Sequence, residues 1–159
     1  MKIAKLSSIP EQRVRSPKGK YDVVRQSISQ ALGGIEDVGT WSGGHPFDVE
    51  QVRIVPGAAN FPFHAHSAQW EMYIVVSGQG EVRGPDGISA IQKGDSTIFR
   101  PGEAHQIRNT GSAELIYLVV TDHCQSDIAT YPDTPGKCVL NPILKCFTMN
   151  EVSYYESED

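Results

Sequence analysis

Three imidazoles and one carboxylate sit in two short stretches of this chain, His64-Ala65-His66 with Glu71, and Pro101-Gly102-Glu103-Ala104-His105 with Asn109 behind it. Together they form a complete ligand set for one divalent transition metal. Imidazole nitrogens with a single carboxylate suit manganese, iron, zinc, nickel or copper far better than magnesium or calcium, which take oxygen ligands. Four protein ligands around an octahedral ion would leave positions open for a substrate or dioxygen. The other two histidines read differently. His45 lies in a Gly43-Gly44-His45-Pro46 turn and is expected to face solvent, while His123 follows the last strong strand, between Asp122 and Cys124.

Extended strands are what would position these side chains. Alternate residues of a strand share a face, so His64 and His66 point the same way. On the same rule Gln69, Glu71, Tyr73 and Val75 share a face, which leaves Glu71 among Met72, Ile74, Val75 and Val76. An ionised carboxylate buried there without a partner would be very costly, so Glu71 calls for a cation.

The surrounding chain has the rhythm of short strands. Residues 47–55, 61–66, 71–76, 81–83, 88–92, 96–100, 104–109 and 114–121 read as strands cut by Pro56-Gly57, Ser77-Gly78, Gly84-Pro85-Asp86-Gly87, Lys93-Gly94-Asp95, Pro101-Gly102 and Thr110-Gly111-Ser112. This pattern predicts an all-β antiparallel barrel or sandwich. Gly78-Gln79-Gly80 precedes no helix and lacks the Lys-Ser/Thr of a phosphate loop, so it reads as a turn. Residues 1–46 are expected to be an N-terminal arm and packing segment, 47–121 the barrel, and 122–159 a tail that packs on it and ends acidic. Within the arm, residues 21–32 suit a helix through Val24, Ile28 and Leu32, or equally a strand before Gly33-Gly34.

Bulk properties narrow the function classes. A chain of 159 residues supports one domain with a hydrophobic core. A formal charge of −5 argues against nucleic acid as a bulk partner, and no apolar run is long enough to span a membrane. The N-terminal stretch lacks the apolar core of a signal peptide, so a cytoplasmic location is expected. Cys124, Cys138 and Cys146 are odd in number and lack C-x-x-C spacing, which predicts reduced thiols rather than a disulfide framework or zinc ribbon.

The two stretches resemble the two motifs of the cupin superfamily. Gly57, His64, His66, Glu71 and Gly78 match the first motif, with six residues rather than the usual five between Gly57 and His64. Gly94, Pro101, His105 and Asn109 match the second, again with six residues before the proline, and with Gly102 directly after it. The resemblance covers roughly residues 47–121. His66-Ser67-Ala68-Gln69-Trp70-Glu71 and Tyr131-Pro132-Asp133 are further similar to a bacterial group of cupins that carries a sugar-phosphate isomerase label. What the resemblance implies is a double-stranded β-helix, or jelly-roll, barrel with His64, His66, Glu71 and His105 holding one metal. It also implies a homodimer.

Three functions are compatible with this reading. One is a metal-dependent enzyme, of isomerase type, on a small sugar- or organic-acid-like molecule. The metal would polarise a carbonyl while a separate base moves a proton. Glu103, Tyr73 and Asp133 are the candidates for that base, and a phosphate group would call for Arg53, Arg100 or Arg108. The second is a metal-dependent dioxygenase with the same ligands. The third is a metal- or small-ligand-binding module without turnover.

Overall fold

The computed structural model describes residues 1–141 and 143–155; the acidic end of the expected tail, 156–159, lies outside them. Thirteen strands, one short α-helix and two single-turn 3-10 helices are present among the described residues. The N-terminal segment holds β1 (Gln12–Arg15), β2 (Asp22–Ser27) and the single-turn α1 (Ile28–Ala31). Then come β3 (Phe47–Ile54), β4 (Ala65–His66), β5 (Glu71–Ser77), β6 (Gln79–Gly84), β7 (Gly87–Gln92), β8 (Ser96–Phe99), β9 (Gln106–Arg108) and β10 (Leu115–Asp122). The C-terminal segment adds β11 (Asp127–Thr130), β12 (Lys137–Asn141) and β13 (Lys145–Thr148).

All strand pairings within the three sheets are antiparallel. A six-stranded sheet runs β1-β2-β3-β10-β5-β8, a four-stranded sheet runs β13-β12-β11-β4, and β7-β6-β9 form the third. Sequence neighbours such as β3 and β4 therefore lie in different sheets, and β10 returns between β3 and β5. This is the double-stranded β-helix architecture expected for the chain.

The alternation read from residues 69–75 is realised. Glu71, Tyr73 and Val75 are buried on the inner face of β5, while Met72 and Ile74 are half-buried and Val76 is exposed. Tyr73 and Val75 join Val52, Ile54, Phe99, Ile107, Leu115 and Tyr117 in one core cluster. Full burial of each aliphatic side chain there is worth about 1.5–3 kcal/mol against exposure.

The arm is more regular than its polar sequence suggests. Val23 is completely buried opposite Ile54, and β2 extends the large sheet by pairing with β3. Both readings of residues 21–32 hold in part: strand to Ser27, then one helical turn at Ile28–Ala31. The helix ends before Gly33, whose φ of +100° no side-chain-bearing residue adopts comfortably. Gly78 is needed for a second reason. With φ at +84°, a Cβ there would also lie 2.4 Å from the carbonyl oxygen of Glu114, so the sharp β5–β6 turn and its contact with β10 admit only glycine.

Candidate metal centre

The four residues arrive from three places. His64 and His105 are bridged by reciprocal backbone bonds, His105 N–H to His64 O at 2.8 Å and His64 N–H to His105 O at 3.2 Å. His66 sits on β4, and its carbonyl accepts a 2.7 Å bond from the Gly102 N–H. The Pro101-Gly102 turn of the second stretch thus docks onto the first. Glu71 opens β5.

One ligand atom from each of His64, His66 and Glu71 lies within 4.8 Å of the others. His105 joins them through Glu71, its Nε2 standing 2.5 Å from Oε2. The His66 Nε2 is 3.8 Å from the other carboxylate oxygen. Phe99 stacks on the His105 ring, centroids 4.2 Å apart and planes within 7°, which fixes its rotation.

Each Nδ1 faces an acceptor: Pro62 O at 2.8 Å for His64, Asp127 Oδ2 at 2.5 Å for His66, and Glu103 O at 3.2 Å for His105. Acceptors at all three sites assign the ring proton to Nδ1 and leave three Nε2 lone pairs available. For His105 this puts a lone pair against an ionised carboxylate oxygen, an arrangement that demands a positive charge between them. A divalent cation meets that demand, so the donor set fits a transition metal.

Electrostatics agree. Burial, helped by the nearby His105, lowers the His64 pKa to about 4, so the ring is neutral at pH 7. Burial alone would raise Glu71, but the close contact with His105 and the surrounding imidazoles hold it well below the usual carboxylate range. Asp127 behaves alike: burial opposes ionisation, and His66 with the Ala68 N–H outweighs it. Burial lowers His66, yet Asp127 wins and its pKa rises.

The structure sorts the other expected residues. Tyr73 is beside the centre, its hydroxyl donating to Glu71 Oε2 at 2.9 Å and lying 3.2 Å from His105 Nε2. Burial, then the Glu71 charge, pushes its pKa well above the ordinary value, so it stays protonated and orients Glu71 rather than acting as a base. Glu103 does not face the centre. Its carboxylate caps the Arg100 N–H at 2.8 Å and holds the Arg100 side chain, and only its carbonyl reaches His105. Asp133 pairs with Arg83 on the surface at 2.6 Å rather than covering the mouth. His45 is half-buried, and His123 is enclosed beside Asp48 instead of joining the ligands. The three cysteines are free: Cys138 faces Phe147 and Cys146 faces Val139, one register step apart and so on opposite faces.

A cavity of about 330 Å³ opens over the centre, with His64, His66 and Glu71 among its lining residues. Its remaining walls come largely from outside the two motifs: Arg25 on β2, Asp48 and Glu50 on β3, Tyr117 on β10, Tyr131 and Asn141 from the C-terminal segment. Arg53, Arg100 and Arg108 do not line it; each pairs with a carboxylate elsewhere, Glu11, Glu103 and Glu81 respectively. Asp127 and the cavity wall are what sequence reasoning missed. Asp127 lies 61 residues from His66, and only the β4–β11 pairing, Ala129 opposite His66, brings them together.

Residues 50–121, a little under half of the chain, match the family described as the cupin domain, and the fold agrees with that match. A sugar phosphate isomerase of the cupin superfamily from Silicibacter pomeroyi superposes with a TM-score of 0.75 at 23% identity, covering 94% of this chain and 93% of that one. At that identity the likeness is one of fold. The xanthan biosynthesis protein XanB of Xanthomonas campestris is 32% identical over 98 residues, 59% of this chain. The matched stretch spans only 21% of XanB. The oxalate-binding protein of Thermotoga maritima is 30% identical over 70 residues, 44% of this chain and 57% of that protein.

Proposed function

We propose that this protein is a metal-dependent cupin that binds a small polar molecule in the cavity above His64, His66, Glu71 and His105 and acts on it by isomerase-type chemistry. The observation that carries the reading is the shared arrangement of the three rings, each with Nδ1 on an acceptor. The Nε2 atoms of His66 and His105 turn toward Glu71, and a ligand atom of His64 lies within 4.8 Å of those of His66 and Glu71. A divalent transition ion bound there would supply Lewis-acid polarisation of a substrate oxygen. Asp127 holds His66 in the required tautomer and orientation, and Tyr73 does the same for Glu71. The likeness to the Silicibacter pomeroyi protein supports the class of chemistry, and a cavity of about 330 Å³ supports a small molecule as partner.

Proton transfer within the cavity falls to Glu50, because Glu103 and Tyr73 do not line it. Burial raises the Glu50 pKa against the opposing pull of Arg25, which moves a carboxylate toward the range of a useful base. The test is metal-loaded protein incubated with aldose and ketose substrates in deuterated water. Interconversion with deuterium at the carbon next to the carbonyl is expected, and it should fall at least about a hundredfold in Glu50→Gln, the range general-base loss occupies.

A second reading is a binding module without turnover, favoured by the absence of both Glu103 and Tyr73 from the cavity wall. It predicts a ligand-induced rise in melting temperature with no interconversion of any substrate.

A further inference from the structure

The inner face of β10 carries Tyr117 into the cavity wall, opposite Val52 of β3 on one side and Val75 of β5 on the other. Tyr73 meets the Tyr117 ring edge-on, centroids 5.3 Å apart, which limits its rotation. Arg25 also faces Val52, and Glu50 faces Val119, two residues along β10 and therefore on the same side of the sheet. The charges of Glu71, Arg25 and Glu50 all act on the Tyr117 hydroxyl. That group is thus within electrostatic reach of both the ligand cluster and the Arg25–Glu50 pair.

The direction of its proton follows from a neighbour. Asn60 is as deeply buried as Tyr117, each being 1% exposed. The Asn60 Oδ1 accepts from the Ile107 N–H at 3.0 Å, so the other end of the amide is a donor. That Nδ2 is buried without a hydrogen-bond partner among the described residues, and it lowers the Tyr117 pKa as a donor beside the phenolic oxygen does. An NH2 group can only donate, so the Tyr117 O–H must turn elsewhere. Carboxylates of the wall are engaged: Glu71 Oε2 takes the Tyr73 hydroxyl at 2.9 Å, and Glu50 Oε2 takes Arg25 at 2.8 Å. No described residue accepts from Tyr117, and its oxygen is not sealed off as the Asn60 amide is. Burial, the largest influence, holds its pKa well above the ordinary value, so the proton stays in place at pH 7.

We propose that the Tyr117 hydroxyl binds the ligand directly, donating a hydrogen bond to an oxygen of a hydroxylated molecule whose other end lies at His64, His66 and Glu71, a role that rests on the metal reading of the same site. A molecule with oxygen only at the metal end leaves this donor unanswered. A polyhydroxylated chain answers it and lies beside Glu50.

The test is calorimetric titration of zinc-loaded protein at pH 7 with two chelating probes, acetohydroxamate and threonohydroxamate. Both present the same pair of oxygens to a metal, and only the second carries a hydroxylated chain. The parent protein is expected to bind threonohydroxamate about tenfold more tightly. Tyr117→Phe keeps the ring and its packing on Tyr73, and should lose most of that preference with acetohydroxamate affinity and zinc content unchanged. A variant that merely loosened the fold would weaken both probes alike and overturn the assignment. Equal affinities in the parent, an undiminished preference in folded Tyr117→Phe, or a parent that binds neither probe would overturn it too. A preference that depends on Tyr117, in a protein that interconverts no aldose and ketose, would sink the isomerase reading and leave the role of Tyr117 standing.

Discussion

At the scale of single residues, the site is set by which atom of each side chain is already engaged. Asp127 accepts from His66 Nδ1 with one oxygen and from the Ala68 N–H (2.8 Å) and Ser67 hydroxyl (3.1 Å) with the other. An asparagine has a single acceptor oxygen and cannot serve both sides. Asp127→Asn and Asp127→Ala should therefore weaken metal binding about 10–100-fold, measured by competition with a chelator. Unchanged affinity in a folded variant would show that His66 needs no such partner. A titrating residue away from the centre is Asp22, which is buried and held by Arg13 at 2.8 Å and Arg15 at 3.2 Å. The Arg13 hydrogen bond outweighs burial and lowers its pKa from 3.8. Its stabilising contribution is thus complete above about pH 4 and is lost as pH falls toward the depressed native value. Acid melts should show a shallower loss of stability below pH 4 for Asp22→Asn than for the parent chain; parallel curves would contradict the assignment.

At the scale of elements, Asn109 has a structural part that its place in the second motif does not announce. Completely buried, it donates to Ile54 O and Ala113 O at 2.8 Å each and accepts from the Gly111 N–H at 2.9 Å. Asn109→Ala leaves those groups without partners and should cost about 1–3 kcal/mol in denaturant unfolding, without changing metal stoichiometry. The β5 alternation and the turns around it were legible in the sequence, because period-two burial and Gly/Pro punctuation are local signals. Residues 61–66 show where local signals fail: only Ala65–His66 is strand, and β4 exists because β11 pairs with it. For β2 the local signal allowed strand or helix, and its pairing with β3 is what selects the strand as far as Ser27.

At the scale of the whole molecule, the motifs supply the candidate metal ligands and the flanking segments supply most of the cavity wall. The four expected ligand residues could be read from spacing, since His-x-His on a strand and a buried carboxylate carry their own physical reasons. The cavity wall could not, because Arg25, Glu36, Asp37, Asp48, Tyr131 and Asn141 come from segments that meet only after folding. That division explains why the ligand set alone does not choose a substrate, and why expected phosphate partners such as Arg53 and Arg108 proved to be paired elsewhere. The most direct test is elemental analysis of freshly purified protein beside a His64→Ala/His105→Ala double variant. One equivalent of a divalent transition metal in the parent chain and none in the folded double variant is the predicted result. A double variant that still carries a full equivalent would place the metal elsewhere and contradict the site.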